Sequence, residues 1–101
     1  MLRNTLTGKQ KRFLRAMGNN IDPVVQIGKD AVTPALVKSA DDVITKRELI
    51  KVRVLQNCME DTETALKLLA ERTNCDLVQV IGRNGLLFRR NFKKPQIELP
   101  K

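Results

Sequence analysis

Between residues 23 and 92 the sequence switches repeatedly between the period of a strand and the period of a helix. That alternation restricts the chain to a sheet with helices packed on it. Pro23-Val24-Val25-Gln26-Ile27-Gly28 reads as a short strand, with proline tolerated at its first position and glycine closing it. Thr33-Pro34 then supplies a cap and a first turn. Leu36, Ala40, Val43 and Ile44 form an apolar stripe down to about Arg47. From Leu49 to Leu55 the period returns to two, with Ile50, Val52 and Val54 on one face and Lys51 and Arg53 on the other. A second helix begins at Asp61 or Thr62, whose acids suit the positive end of its dipole, and packs through Ala65, Leu66, Leu69 and Ala70 to about Asn74.

Leu77 to Ile81 and Leu86 to Phe92 are strand-type runs, expected to form a hairpin across Gly82-Arg83-Asn84-Gly85. Ahead of all these, Gln10, Phe13, Leu14 and Met17 mark the packing face of a helix from about Thr7 to Met17, which Gly18 ends. Crossover connections favour parallel neighbours. The expected architecture is therefore α/β: an N-terminal helix, then βαβαββ, in a four-stranded mixed sheet whose last strand is antiparallel to the rest. The tail from residue 93 carries Pro95 and Pro100 and is expected to be extended, with at most a short edge segment around Ile97.

A chain of 101 residues supports one hydrophobic core, so a single domain over 1–101 is expected, with its core at about 5–92 and its extended tail at 93–101. The charge is distributed unevenly along it. Arg3, Lys9, Lys11, Arg12 and Arg15 give residues 1–15 a charge of +5 with no acid. Residues 83–101 also reach +5, through Arg83, Arg89, Arg90, Lys93, Lys94 and Lys101 against Glu98, while residues 16–82 sum to −2. Segregation of this kind points to a polyanionic partner. At 100° per residue, Lys11, Arg12 and Arg15 project opposite the packing face of the first helix, with Lys9 at its margin.

Other classes of function fit poorly. The sequence has no histidine, no Gly-x-Ser-x-Gly elbow and no complete phosphate loop, Gly28-Lys29-Asp30 being only a fragment of one. Asp41 and Asp42 are adjacent and diverge on a helix, which suits a solvated face better than an acid–base pair. No enzymatic activity, metal or cofactor is therefore expected. Cys58 and Cys75 lack the companions of a zinc site, and buried or idle thiols in a reducing cytoplasm are expected, a disulfide between the two being the alternative. No apolar run approaches the roughly 20 residues that cross a bilayer, so no membrane partner is expected.

Phe13, Phe88 and Phe92 are the only aromatics, and Phe13 is placed in the core. Too few remain for a stacking platform, so the composition suits a reader of RNA backbone and shape rather than of bases. The loop Gly82-Arg83-Asn84-Gly85 fits that role, since glycines let backbone amides approach phosphate and Arg83 adds a fork of donors. An Asn-Gly pair is also a common hairpin centre, so the loop alone leaves the choice open. Arg89 and Arg90, following on the next strand, are expected to concentrate charge beside it.

Several segments together carry a family resemblance: Leu6-Thr7-Gly8-Lys9-Gln10-Lys11, Pro23 to Gly28, Glu48-Leu49-Ile50-Lys51-Val52, Val78-Gln79-Val80-Ile81-Gly82 and Ile97-Glu98-Leu99-Pro100. They resemble the bacterial single-domain CRM family (chloroplast RNA splicing and ribosome maturation), the YhbY-like proteins. The resemblance implies a domain like the C-terminal part of bacterial translation initiation factor three. It implies a glycine-flanked loop at Gly82, Arg83, Asn84 and Gly85 beside a basic first helix. It also implies binding to ribosomal RNA and large-subunit precursors, with the protein expected as a monomer assisting assembly. The alternative left by the residues themselves is a basic adaptor gripping an acidic protein partner. One position departs from the family: Ala31 stands where glycine is common in the turn before the second helix, and a positive φ there would strain alanine.

Overall fold

The computed structural model describes residues 6–101. Its elements follow the expected order: α1 (Gly8–Gly18), β1 (Pro23–Ile27), α2 (Pro34–Arg47), β2 (Leu49–Val54), α3 (Thr62–Arg72), β3 (Asp76–Ile81) and β4 (Asn84–Phe88). Each helix begins at a side-chain cap. Thr7 Oγ1 accepts the Gln10 N–H at 3.1 Å while Gln10 Oε1 accepts the Thr7 N–H at 3.0 Å, a reciprocal capping box. Thr33 Oγ1 accepts the Leu36 N–H at 3.1 Å, and Asp61 Oδ2 the Thr64 N–H at 3.2 Å. Hydrogen bonds from Thr64, side chain first and backbone second, hold the Asp61 carboxyl below its usual value.

The sheet order is β1-β2-β4-β3. β1 and β2 are parallel, and β4 lies antiparallel between β2 and β3. Three strands therefore share one direction and the last opposes them, as the sequence implies. Alternation along the strands feeds two cores. On one face Ile50, Val52, Val54 and Leu87 pack with Ala40 and Ile44 of α2 and Leu66 and Leu69 of α3. On the other, Leu49, Val78, Leu86 and Phe88 pack with Leu14 of α1. No helix among the described residues is long and apolar enough to cross a membrane.

Four local expectations change. The hairpin turn is tighter than Gly82 to Gly85, because Ile81 already pairs with Asn84 and only Gly82-Arg83 lies between the strands. Gly82 has φ +58° and Arg83 has no positive φ, the pattern of a type II′ turn. β4 ends at Phe88 rather than Phe92, since Asn91 Oδ1 accepts the N–H groups of Lys93 and Lys94 at 3.0 and 3.1 Å and turns the chain away from the sheet. Phe13 is 38% exposed, so Leu14 alone among the expected packing residues of α1 is fully buried. Gly18 is the last residue of α1 and has no positive φ; a Cβ there would lie 2.4 Å from Leu86 Cδ1, so glycine permits the helix to approach the sheet.

The tail forms no edge strand. Ile97 and Leu99 pack instead against the α1 side of the sheet, and Pro100 O accepts a hydrogen bond from Gln10 Nε2 at 3.0 Å. The anchor is Glu48, whose side chain has no exposed surface. Its Oε2 accepts the Asn91 N–H at 2.7 Å, and its Oε1 accepts those of Gln96 and Ile97 at 2.5 and 2.7 Å. No disulfide joins Cys58 to Cys75, and the buried Cys75 Sγ accepts from the Thr73 hydroxyl at 3.1 Å.

Candidate nucleic-acid interface

Because Leu14 and Gly18 face the sheet, the rotation of α1 is fixed and its opposite side meets solvent. Lys9, Lys11 and Arg12 are exposed there, and Arg15 is half-buried at the flank. The helix contacts β2 and β3 and ends against Leu86 near the hairpin. Among the described residues no carboxylate pairs with Lys9, Lys11, Arg12, Arg15 or Arg83.

The two glycines expected to cradle phosphate have different surroundings. Nothing lies within 4 Å of where a Cβ of Gly82 would stand, so the turn backbone is open to a ligand. A Cβ on Gly85 would lie 2.6 Å from Leu66 Cδ1, and Leu66 is fully buried. Gly85 thus serves α3 packing. Arg83 is exposed, and its carbonyl accepts the Val54 N–H at 2.7 Å, which ties the turn to the end of β2.

Arg89 and Arg90 are not beside this turn. β4 separates them from it by five residues, about 17 Å of extended chain. Arg89 is also occupied: its Nη1 donates to Asp41 Oδ1 and, at 2.7 Å, to Thr73 O, while its Nη2 donates to Thr45 Oγ1 at 2.6 Å. The guanidinium clamps α2 to the end of α3, and Asp41 is its counter-ion rather than part of a solvated pair. Arg90 is exposed at the same end.

Two basic residues outside the expected site, Lys51 and Arg53, join the turn. α1 covers only part of its sheet face. Register places Gln26, Arg53, Asn84 and Ile81 in one row across all four strands, immediately below Gly82-Arg83. Gln26, Arg53 and Ile81 are exposed, and Lys51 lies half-buried on the same face. Lys51, Gln79, Ile81, Asn84 and Leu86 line, with Gly18, a cleft of about 190 Å³. In it Asn84 Oδ1 is buried without a hydrogen-bond partner among the described residues. The alternation of Lys51 and Arg53 with buried neighbours is visible in the sequence; the limit of α1 coverage is not. Among the described residues no group of three or more His, Cys, Asp or Glu could hold a metal.

The arrangement offers a polyanion an open turn, a largely polar sheet row and cations that are unpaired among the described residues. A Bacillus subtilis protein named Probable RNA-binding protein YqeI is 43% identical over 95 residues, covering 94% of this chain and 99% of that one. A Haemophilus influenzae protein named RNA-binding protein is 30% identical over 97 residues, covering 96% and 97% respectively. The solution structure of SAV1595 from Staphylococcus aureus shares 47% identity and superposes with a TM-score of 0.80, over 95% of this chain and 100% of that one. The CRS1/YhbY (CRM) domain matches residues 6–89, and the chain belongs to that family.

Proposed function

We propose that this protein binds structured RNA by its sugar-phosphate backbone, using the α1 cations Lys9, Lys11, Arg12 and Arg15 and the Gly82-Arg83 turn. In this reading it acts without catalysis, as a cytoplasmic assembly factor whose RNA is that of large ribosomal subunit precursors. Asn84 and Gly85 shape the turn from within β4, and Lys51 and Arg53 extend the contact onto the open sheet row. Arg90 lies at the far end and makes a separate contact.

The observation that supports this best is a contrast among the cations. Arg89 is paired with Asp41 and bonded to Thr73 O and Thr45 Oγ1, whereas Lys9, Lys11, Arg12 and Arg83 stand exposed without a counter-ion among the described residues. Unpaired cations held on rigid elements release the counterions of RNA without first breaking internal bonds. The test is fluorescence anisotropy of labelled ribosomal RNA fragments with wild type and with Lys11→Glu, Arg12→Glu, Arg83→Glu. Loss of binding in the folded triple variant supports the reading. Retention of the protein by an acidic protein partner after nuclease treatment, with no RNA binding, favours the adaptor instead.

A further inference from the structure

The geometry points to a second RNA contact at the opposite end of β4, where Phe92 stacks on an unpaired base while Arg90, Lys93 and Lys94 hold the flanking phosphates. This rests on the backbone-binding reading and adds a different recognition chemistry to it. Phe92 is 65% exposed, the most exposed aromatic side chain among the described residues. A lone exposed apolar side chain is unremarkable on a protein surface. Three further observations set this one apart.

The first is rigidity. The preceding residue, Asn91, is fixed at both ends: its backbone N–H donates to Glu48 Oε2 at 2.7 Å and its Nδ2 to Thr45 O at 2.8 Å. Its Oδ1 then closes the turn onto Lys93 and Lys94. An aromatic ring presented on a fixed turn loses little conformational freedom on binding.

The second is charge. Arg90, Lys93 and Lys94 are exposed around the ring, and Lys46 and Arg47 are exposed on the last turn of α2, to which Asn91 is bonded. Two acids next to the ring's turn are already engaged. Asp41 pairs with Arg89, and the buried Glu48 carboxylate accepts three backbone N–H groups. The surface is left with cations and a ring, the combination that binds unpaired nucleotides through phosphate contact and stacking.

The third is shape. Thr45, Arg90, Asn91, Phe92 and Lys93 border, with the clamped Arg89, an open groove of about 390 Å³. A flat base lying against Phe92 would enter it. An acidic peptide would satisfy the cations but would leave the ring without a planar partner.

The sequence has no tryptophan, so Phe92→Trp provides a unique fluorescent reporter at the stacking position. Two RNAs of equal length serve as probes, one fully paired and one with an unpaired loop. Indole emission is expected to be quenched by the looped RNA and not by the paired one. Phe92→Ala is expected to weaken the looped RNA about tenfold, the scale of one lost base stack, and the paired RNA less than twofold. Unchanged emission on a looped RNA that demonstrably binds, or equal weakening of both RNAs by Phe92→Ala, overturns the proposal. So does an emission change with polyglutamate but with neither RNA. If wild type binds no RNA at all, the backbone-binding reading fails with it.

Discussion

The Glu48 carboxylate accepts the Ile97 N–H at 2.7 Å across 49 positions of sequence, and so holds the C-terminal tail to the junction of α2 and β2. The same side chain holds Asn91 and Gln96, so one buried charge organises the whole segment after β4. Glu48→Gln places an NH₂ donor where backbone N–H donors need an acceptor. A loss of about 3 kcal/mol in urea unfolding is expected, together with faster proteolysis beyond Arg89. Unchanged stability would mean that the tail is held by Ile97 and Leu99 packing alone.

Ala31 and Asn74 both have φ +58°, but only asparagine tolerates that region readily. Ala31→Gly is expected to raise stability by about 0.5–1 kcal/mol, the relief of strain exceeding the added entropy of the unfolded glycine. Asn74→Gly should gain less. Paired thermal melts of the two variants check the order.

The strand and helix sequence of this fold was legible because each element has a buried face and a cap. Ile50, Val52 and Val54 alternate, and Thr33 and Asp61 cap as their types predict, while Thr7, read as the first helical residue, turns out to be a cap. Contacts between distant segments were not legible. Nothing near Glu48 in sequence announces that its acceptors serve residues 91, 96 and 97, and nothing near Arg89 announces Asp41. The same limit explains the candidate site. The α1 cations and Arg83 could be read locally, whereas the length of β4 decided that Arg90 stands apart from them, and Leu66 decided the role of Gly85.

The two hairpin glycines should therefore separate in mutagenesis. Gly85→Ala forces a Cβ against the fully buried Leu66 and is expected to cost about 1–3 kcal/mol of stability. Gly82→Ala meets no steric neighbour and costs only the strain of its positive φ, about 1 kcal/mol, while weakening RNA binding through the altered turn. Unfolding and anisotropy measured on both variants distinguish a packing glycine from a binding one.

Charge reversal separates Arg89 from Arg83 in the same way. Arg89→Glu sets a carboxylate beside Asp41 and leaves the Thr73 carbonyl only the weak Cys75 thiol donor, so a loss of about 3 kcal/mol is expected. Arg83→Glu is expected to leave the melting temperature within about 2 °C, since Arg83 is exposed and contributes only its carbonyl to the fold, yet to weaken RNA binding. A variant combining the two would confuse unfolding with weaker binding.

Asp61 provides a pH test of helix capping. Its carboxyl lies below the usual value because Thr64 hydrogen-bonds the charged form. The folded state therefore gains from ionisation above the unfolded pKa, and that gain is lost as pH falls through the lower folded value. Asp61→Asn retains a cap without the charge. Its stability relative to wild type should improve as pH drops from 5 to about 2, as followed by circular dichroism in urea.

The central claim is tested most directly by the salt dependence of binding to a structured ribosomal RNA fragment. Lys9, Lys11, Arg12, Arg15 and Arg83 on phosphate contribute a log–log slope of about −4 for wild type, which contacts by Lys51, Arg53 and Arg90 steepen. Lys11→Glu, Arg12→Glu, Arg83→Glu should reduce its magnitude by about one unit for each phosphate no longer neutralised, with the protein still folded. A wild-type slope near zero, or one that the triple variant leaves unchanged, contradicts backbone binding through α1 and the hairpin turn.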